Sequence, residues 1–179
     1  MGRGGRCYRR RMGANISAGV VGMMALDDDG NEADATAAEA WLRAFAALGI
    51  SRRFREVIGD RVAELTYDDG KVGLRWLGAD EAAPILAQDT YFGSASNSAF
   101  PSCLDSDLYV PNCRSEDADT AEVQDAPFEE FGYEPIETAI AALTDRLAGA
   151  EGGGDTDLMS HVLERLRFCA THQMILVLV

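Results

Sequence analysis

The sequence predicts an α+β fold: a single domain with a small mixed β-sheet that is covered by helices largely on one face. The C-terminal 25 residues provide the first reason, because an amphipathic helix from residue 155 leads into the uncharged segment Met174–Val179. The second reason is a hairpin pattern around Asp68-Asp69-Gly70, and the third is a set of apolar stripes with helical spacing. A strand without a polar face belongs inside a sheet covered on both sides, so Met174–Val179 is predicted to be the central strand.

The chain begins with a basic, glycine-rich segment that has no periodicity. Residues 1–11 contain five arginines, and we expect a disordered tail that precedes one α+β domain, 12–179. The apolar segment 16–26 is interpreted as an N-terminal core strand that pairs with Met174–Val179. Two alternatives stay open: a signal peptide without a clear cleavage motif, or translation from Met12, which creates a myristoylation pattern.

The next elements follow from apolar spacing and turn residues. Thr36-Ala-Ala-Glu39 is a capping box, and it predicts a helix over 36–48 that ends at Gly49. A short second helix is predicted over 51–58, with Ser51 as its cap. Strands at 61–67 and 71–77 form the hairpin and are expected to join 16–26 and 174–179 in one sheet, followed by a helical segment over 80–88.

Two helices are predicted before the last strand. Pro135 is expected at the first position of one of them, because its apolar residues then form a stripe: Ile136, Ile140, Leu143 and Leu147. Residues 151–154 form a glycine-rich connector. Asp155 or Thr156 is expected to cap the last helix, and residues 171–173 are expected to form the turn into the final strand.

The least regular part of the chain is the acidic region 89–134. From Asp105 to Glu130 it contains nine acidic residues and one basic residue. Long irregular segments of this kind often bind partners, and aromatic residues among acids suit an arginine- or lysine-rich protein. The alternative is a disordered acidic excursion. The predicted partner-binding residues are Asp105, Asp107, Tyr109, Glu116, Asp117, Asp119, Glu122, Phe128, Glu129 and Glu130.

The net charge supports the same hypothesis. Thirty acidic residues oppose 16 basic residues, which gives −14 and argues against nucleic acid or an anionic membrane as the ligand. The dense basic group Arg52, Arg53 and Arg55 is expected to be solvated or to meet an acidic patch. A basic partner protein, a cation or solubility alone would each explain such an acidic chain.

Residues that could perform catalysis are few. The chain has two histidines, His161 and His172, and contains no P-loop, dinucleotide-binding, zinc-protease or nucleophile-elbow motif. The four cysteines lack zinc-ribbon spacing, so no metal and no cofactor is predicted. Cys103 and Cys113 share a loop and could form a disulfide in an oxidising compartment, but the reduced state of the cytoplasm is expected.

The functional prediction is therefore a non-catalytic, cytoplasmic protein that binds a basic partner. Its composition is that of small acidic inhibitors such as immunity proteins and antitoxins, although no motif places it in such a family. One alternative is a small hydrolase or transferase with its site under residues 89–134. Another is a subunit that forms a homodimer through its helical face.

Overall fold

The C-terminal strand lies at the centre of a five-stranded mixed sheet, as predicted. The computed structural model of the protein describes residues 14–20, 35–95, 102–113, 132–150 and 154–178. The strands of this sheet are, in spatial order, β5 (Tyr91–Ala95), β1 (Ala14–Ala18), β8 (Leu176–Leu178), β6 (Leu108–Val110) and β7 (Tyr133–Pro135). β6 and β7 are parallel, and the other neighbouring pairs are antiparallel.

A second, three-stranded antiparallel sheet and four helices complete the described part of the domain. The sheet has the order β2 (Arg53–Ile58), β3 (Arg61–Asp68) and β4 (Lys71–Trp76). The helices are α1 (Ala35–Ala47), α2 (Ala79–Leu86), α3 (Ile136–Ala148) and α4 (Gly154–His172). The α+β class is therefore confirmed, but the predicted single sheet is wrong, because the hairpin β3–β4 pairs with β2 instead of joining the larger sheet.

The two faces of β8 are buried in different clusters. Leu176 and Leu178 belong to a helix-side core with buried residues of α2, α3 and α4. Ile175 and Val177 belong to a sheet-side core with α1, β2 and β3. Successive residues of a strand point to opposite faces, so one apolar segment supplies both cores. Three of the four helices pack on one side, as predicted, while α1 and the smaller sheet cover the other.

The β3–β4 hairpin has the turn that its sequence predicts. Asp69 and Gly70 have φ angles of 45° and 75°. Positive φ at both central residues is the type I′ geometry, whose twist matches that of antiparallel strands. Opposite residues Leu65 and Leu74 then lie on the same face, toward the sheet-side core.

The predicted short helix over 51–58 is wrong, because most of this segment is β2. The spacing of Phe54, Val57 and Ile58 fits one helical face. In the structure, however, β2 pairs with β3 along its whole length, and Phe54 and Glu56 both point inward. An acidic residue at an inward position removed the apolar alternation by which a strand is normally recognised.

Other boundaries differ by a few residues. Pro135 ends β7 in an extended conformation and α3 begins after it, so Pro135 is the N-cap and not the first helical residue. α4 begins at Gly154 and continues to His172, which leaves Gln173, with a φ of 59°, as the turn into β8. The predicted tail and most of 16–26 lie outside the described residues. No helix in the described ranges is long and apolar enough to cross a membrane.

A buried carboxylate joins the two sheets. Glu56 of β2 is 2% exposed, and its Oε2 accepts a hydrogen bond from the backbone N–H of Val20 at 2.8 Å. Gly19 precedes Val20 with a φ of 102°, and a Cβ atom placed on it would lie 2.1 Å from Oε1 of Glu56. Glycine is therefore required after β1 for two reasons, the backbone conformation and the space that the carboxylate occupies.

We predict that Gly19→Ala destabilises the protein by about 3 kcal/mol or more, because backbone strain and overpacking add. Gly59→Ala is the matched control: Gly59 also has positive φ, but no atom would lie within 4 Å of the new Cβ. For Gly59→Ala the free energy of unfolding should fall by only about 1–2 kcal/mol, which is the cost of the left-handed conformation for a residue with a Cβ atom. Urea unfolding measures both values, and equal losses would contradict the close contact with Glu56.

We predict that Leu176→Ala lowers the free energy of unfolding by about 2–5 kcal/mol, as for other fully buried leucines. Leu176 is 0% exposed at the centre of the larger sheet, whereas Leu86 of α2 is 41% exposed. Leu86→Ala should therefore change stability by less than about 1 kcal/mol. If urea unfolding gives similar losses for the two variants, β8 is not the centre of the core.

Candidate functional site

Two of the predicted contact residues, Asp105 and Asp107, lie with Glu134 at one edge of the larger sheet, and we call these three residues the acidic edge. Asp105 and Asp107 precede β6, and Glu134 lies in the neighbouring parallel strand β7 at the edge of the larger sheet. The carbonyl of Gly132 accepts hydrogen bonds from the backbone N–H groups of Asp107 and Leu108 at 2.9 and 3.0 Å. These bonds hold the start of β6 beside the start of β7, although the two strands are distant in the sequence.

Within the acidic edge, Asp107 has a structural contact. Its Oδ2 accepts a hydrogen bond from the backbone N–H of Gly132 at 3.0 Å, and its carbonyl accepts one from Leu178 at 2.8 Å. The residue thus ties β7 and the end of β8 to the start of β6. Asp105, in contrast, is exposed to solvent.

Glu134 is the electrostatically perturbed member of the acidic edge. Its Oε2 accepts a hydrogen bond from the hydroxyl of Ser106 at 3.2 Å, which favours the charged form. Burial raises the pKa of the Glu134 carboxyl, the bond from Ser106 opposes that shift, and the negative charge of Asp105 adds to it, so the pKa remains above its ordinary value. A nearby cation would remove the repulsion that the two carboxylates exert on each other.

The prediction that Tyr109 lies on the binding surface is wrong. The side chain is 0% exposed and belongs to the helix-side core. Its hydroxyl oxygen accepts a hydrogen bond from the backbone N–H of Ser106 at 3.2 Å, which satisfies the polar end of the ring inside the protein. Tyr109 therefore supports the segment that carries Asp105 instead of contacting a partner.

The other predicted contact residues cannot be placed relative to this edge. Glu116, Asp117, Asp119, Glu122, Phe128, Glu129 and Glu130 lie outside the described residues. Glu134 was not among the predicted residues. The parallel pairing of β6 with β7 brings it beside Asp105, and no local pattern in the sequence indicates that pairing.

The side chains that could act in catalysis are held in other contacts. Burial raises the pKa of the Cys169 thiol, with smaller effects from Glu56 and Arg165, so the thiol stays protonated and is a poor nucleophile. Nε2 of His161 lies 3.2 Å from the carbonyl oxygen of Phe92, and the ring is half-buried. The ring of His172 packs 4.6 Å from that of Phe168.

Metal ligands are not clustered in the described ranges, which contain no group of three or more His, Cys, Asp or Glu side chains that could hold an ion. Cys103 and Cys113 are not bonded to each other. They pack against different cores, Cys103 on the helix side and Cys113 on the sheet side. The two side chains therefore lie in different layers of the molecule.

We predict that Glu134→Gln becomes more stable relative to the unmodified protein as the pH rises from about 4 to 7. A carboxyl group whose pKa is raised by folding stabilises the protein below its unfolded pKa, and this contribution is lost as the pH rises through the folded pKa. Glutamine can still accept the hydrogen bond from Ser106. The measurement is urea unfolding at both pH values. Glu164→Gln, at an exposed position of α4, should show a smaller pH effect.

Comparison with known proteins leaves the function to be argued from the residues themselves. The chain matches no known protein family, no curated protein and no solved structure. An α+β fold does not specify an activity, since one architecture can carry many kinds of site. The acidic edge is the part of the predicted site for which contacts and electrostatics are known.

Proposed function

We propose that this protein is a non-catalytic binding protein that engages a basic partner protein through its acidic edge. One observation carries the proposal: Asp105 and Glu134 are neighbouring carboxylates at a sheet edge, and within the described residues neither forms an ion pair. Burial and mutual repulsion make the ionised pair unfavourable in the free protein. An arginine or lysine of a partner would convert this cost into an attraction.

The charge of the whole chain supports the same kind of partner. A net charge of −14 attracts cationic proteins over distances of about a Debye length and repels nucleic acid. Complementary charge mainly accelerates encounter and selects the partner, while desolvated pairs at the centre of the interface determine how long the complex lasts. Half-buried Glu134 suits the second role, and exposed Asp105 suits the first.

The proposal extends to the acidic segment that follows β6. The predicted contact residues there, from Glu116 to Glu130, would enlarge the acidic edge into a surface for an arginine- or lysine-rich face. A cytoplasmic inhibitor of the immunity or antitoxin type is the form of binding protein that this composition favours. A small hydrolase or transferase is the alternative from the sequence, and it would require a nucleophile beside a base.

We predict that a basic protein from the native host is retained on the immobilised chain and is eluted by a salt gradient. The double variant Asp105→Asn/Glu134→Gln should weaken binding at least tenfold, because close interfacial charge pairs contribute about 1.5 kcal/mol or more. Affinity is measured by calorimetry with the purified partner. The loss should be smaller at high salt, where exposed charges are screened.

The matched control is Asp145→Asn/Glu164→Gln, which removes the same two charges at exposed positions on α3 and α4. It should elute at nearly the same salt concentration as the unmodified protein. Equal weakening by both double variants would indicate attraction to net charge alone and would contradict a site at the acidic edge. If the purified chain hydrolyses or transfers a group on a small molecule, and neither double variant changes the rate, the enzyme alternative is favoured.

A further inference from the structure

Two arginines and a histidine lie at the opposite end of β6 from the acidic edge. We call this group the basic corner: Arg53 and Arg55 at the start of β2, and His172 at the end of α4. Residues 53 and 55 are two apart in a strand, so their side chains lie on the same face. The backbone N–H of Arg55 donates to the carbonyl of Gln173 at 2.6 Å, which places β2 directly beside the end of α4.

The backbone of the basic corner is fixed by two amide side chains. Asn112, which follows β6, and Gln173 both have positive φ, at 54° and 59°. The side-chain amide of Asn112 donates to the carbonyl of Arg53 at 3.2 Å and also to Oε1 of Gln173. The amide of Gln173 in turn donates to the carbonyl of Ala170 at 2.9 Å. Non-glycine residues in this conformation persist where their surroundings hold them, so the corner is preorganised.

The positive charges of the basic corner are only partly neutralised. Nε of Arg55 donates to Oε2 of Glu64 at 2.9 Å, but the other oxygen of Glu64 binds Arg75, also at 2.9 Å. Arg75 also binds Glu81, at 2.8 Å. Two carboxylates therefore balance the two guanidinium groups of Arg55 and Arg75. Among the described residues, neither Arg53 nor His172 has a carboxylate partner. Burial and the positive charge of Arg55 lower the pKa of His172, as expected when the neighbouring charge is a cation.

We propose that the basic corner binds a small tetrahedral oxyanion of the phosphate class. The guanidinium groups of Arg53 and Arg55 supply hydrogen-bond donors in the planar arrangement that suits such an ion, and the His172 ring adds one N–H. The carbonyls of Ala170 and Cys169 at the end of α4 already accept hydrogen bonds from Gln173 and Met174. The helix end therefore presents fewer unpaired oxygens to a bound anion.

The net charge of −14 opposes this binding, so the ionic strength of the test matters. At 0.15 M salt the Debye length is about 8 Å, which screens the distant carboxylates but not the cations in direct contact with the ion. The probes are inorganic phosphate and phenyl phosphate. They distinguish a site for the free ion from a site for a phosphate monoester.

The experiment is a titration of the full chain with each probe at pH 7 and constant ionic strength, followed by the NMR signals of the two histidine rings. His161→Gln leaves a single ring signal and so assigns the spectrum. We expect a saturable shift of the His172 signals with at least one probe and no saturable shift for His161. A larger affinity for phenyl phosphate would identify a monoester as the ligand, and a larger affinity for phosphate would identify the free ion.

Two neighbouring arginines provide the decisive comparison. Arg53→Gln should weaken binding about tenfold, the effect of one lost charge-assisted hydrogen bond. Arg52→Gln removes the same charge from the exposed residue that precedes β2, and it should leave the affinity unchanged. Equal weakening by the two variants, or a shift no larger than that produced by chloride, would overturn the proposal.

Discussion

The requirement that β8 be buried on both faces determines the arrangement of the other elements. The segment from Met174 to Leu178 is fully apolar and at most 1% exposed. Exposed backbone at such a strand would invite pairing with other chains, so both of its edges must be paired and both of its faces covered. β1 and β6 pair with the edges, while helices cover one face and α1 with the smaller sheet covers the other. A single layer of helices would cover only one face of β8 and would leave the other face exposed to water.

The second constraint is the buried carboxylate of Glu56. A charged group inside a protein is costly unless hydrogen bonds satisfy it, and removal of one partner leaves the cost uncompensated. Its bond to the N–H of Val20 fixes the end of β1 against β2, and this contact leaves space for no side chain at Gly19. The connection between the two sheets thus depends on polar contacts, of which this bond is one, as well as on apolar packing, and a polar contact specifies position more narrowly.

Periodicity in the sequence was sufficient for elements that are regular by themselves. The central strand, the hairpin turn at Asp68-Asp69-Gly70 and the helix stripes were predicted because propensity, spacing and turn chemistry agree locally. β2 was missed because Glu56 occupies an inward position for a reason that lies 36 residues away, at Val20. Tyr109 and Glu134 were misjudged for a similar reason. Opposite positions in a parallel pair depend on a long connection, and nothing in either three-residue strand indicates its partner.

The acidic edge and the basic corner are separated by a strand of three residues, roughly 10 Å in length. This distance exceeds the Debye length of about 8 Å at physiological salt, so the two groups of charge influence each other weakly through solvent. They are nevertheless mechanically connected, since Asp107 and Asn112 flank the same strand and each holds a neighbouring strand or helix end through hydrogen bonds. Coupling between the two proposed sites would therefore have to pass through the packing of β6. Because β6 is buried on both faces, it resists small displacements, and the two sites are better regarded as independent surfaces on one rigid support.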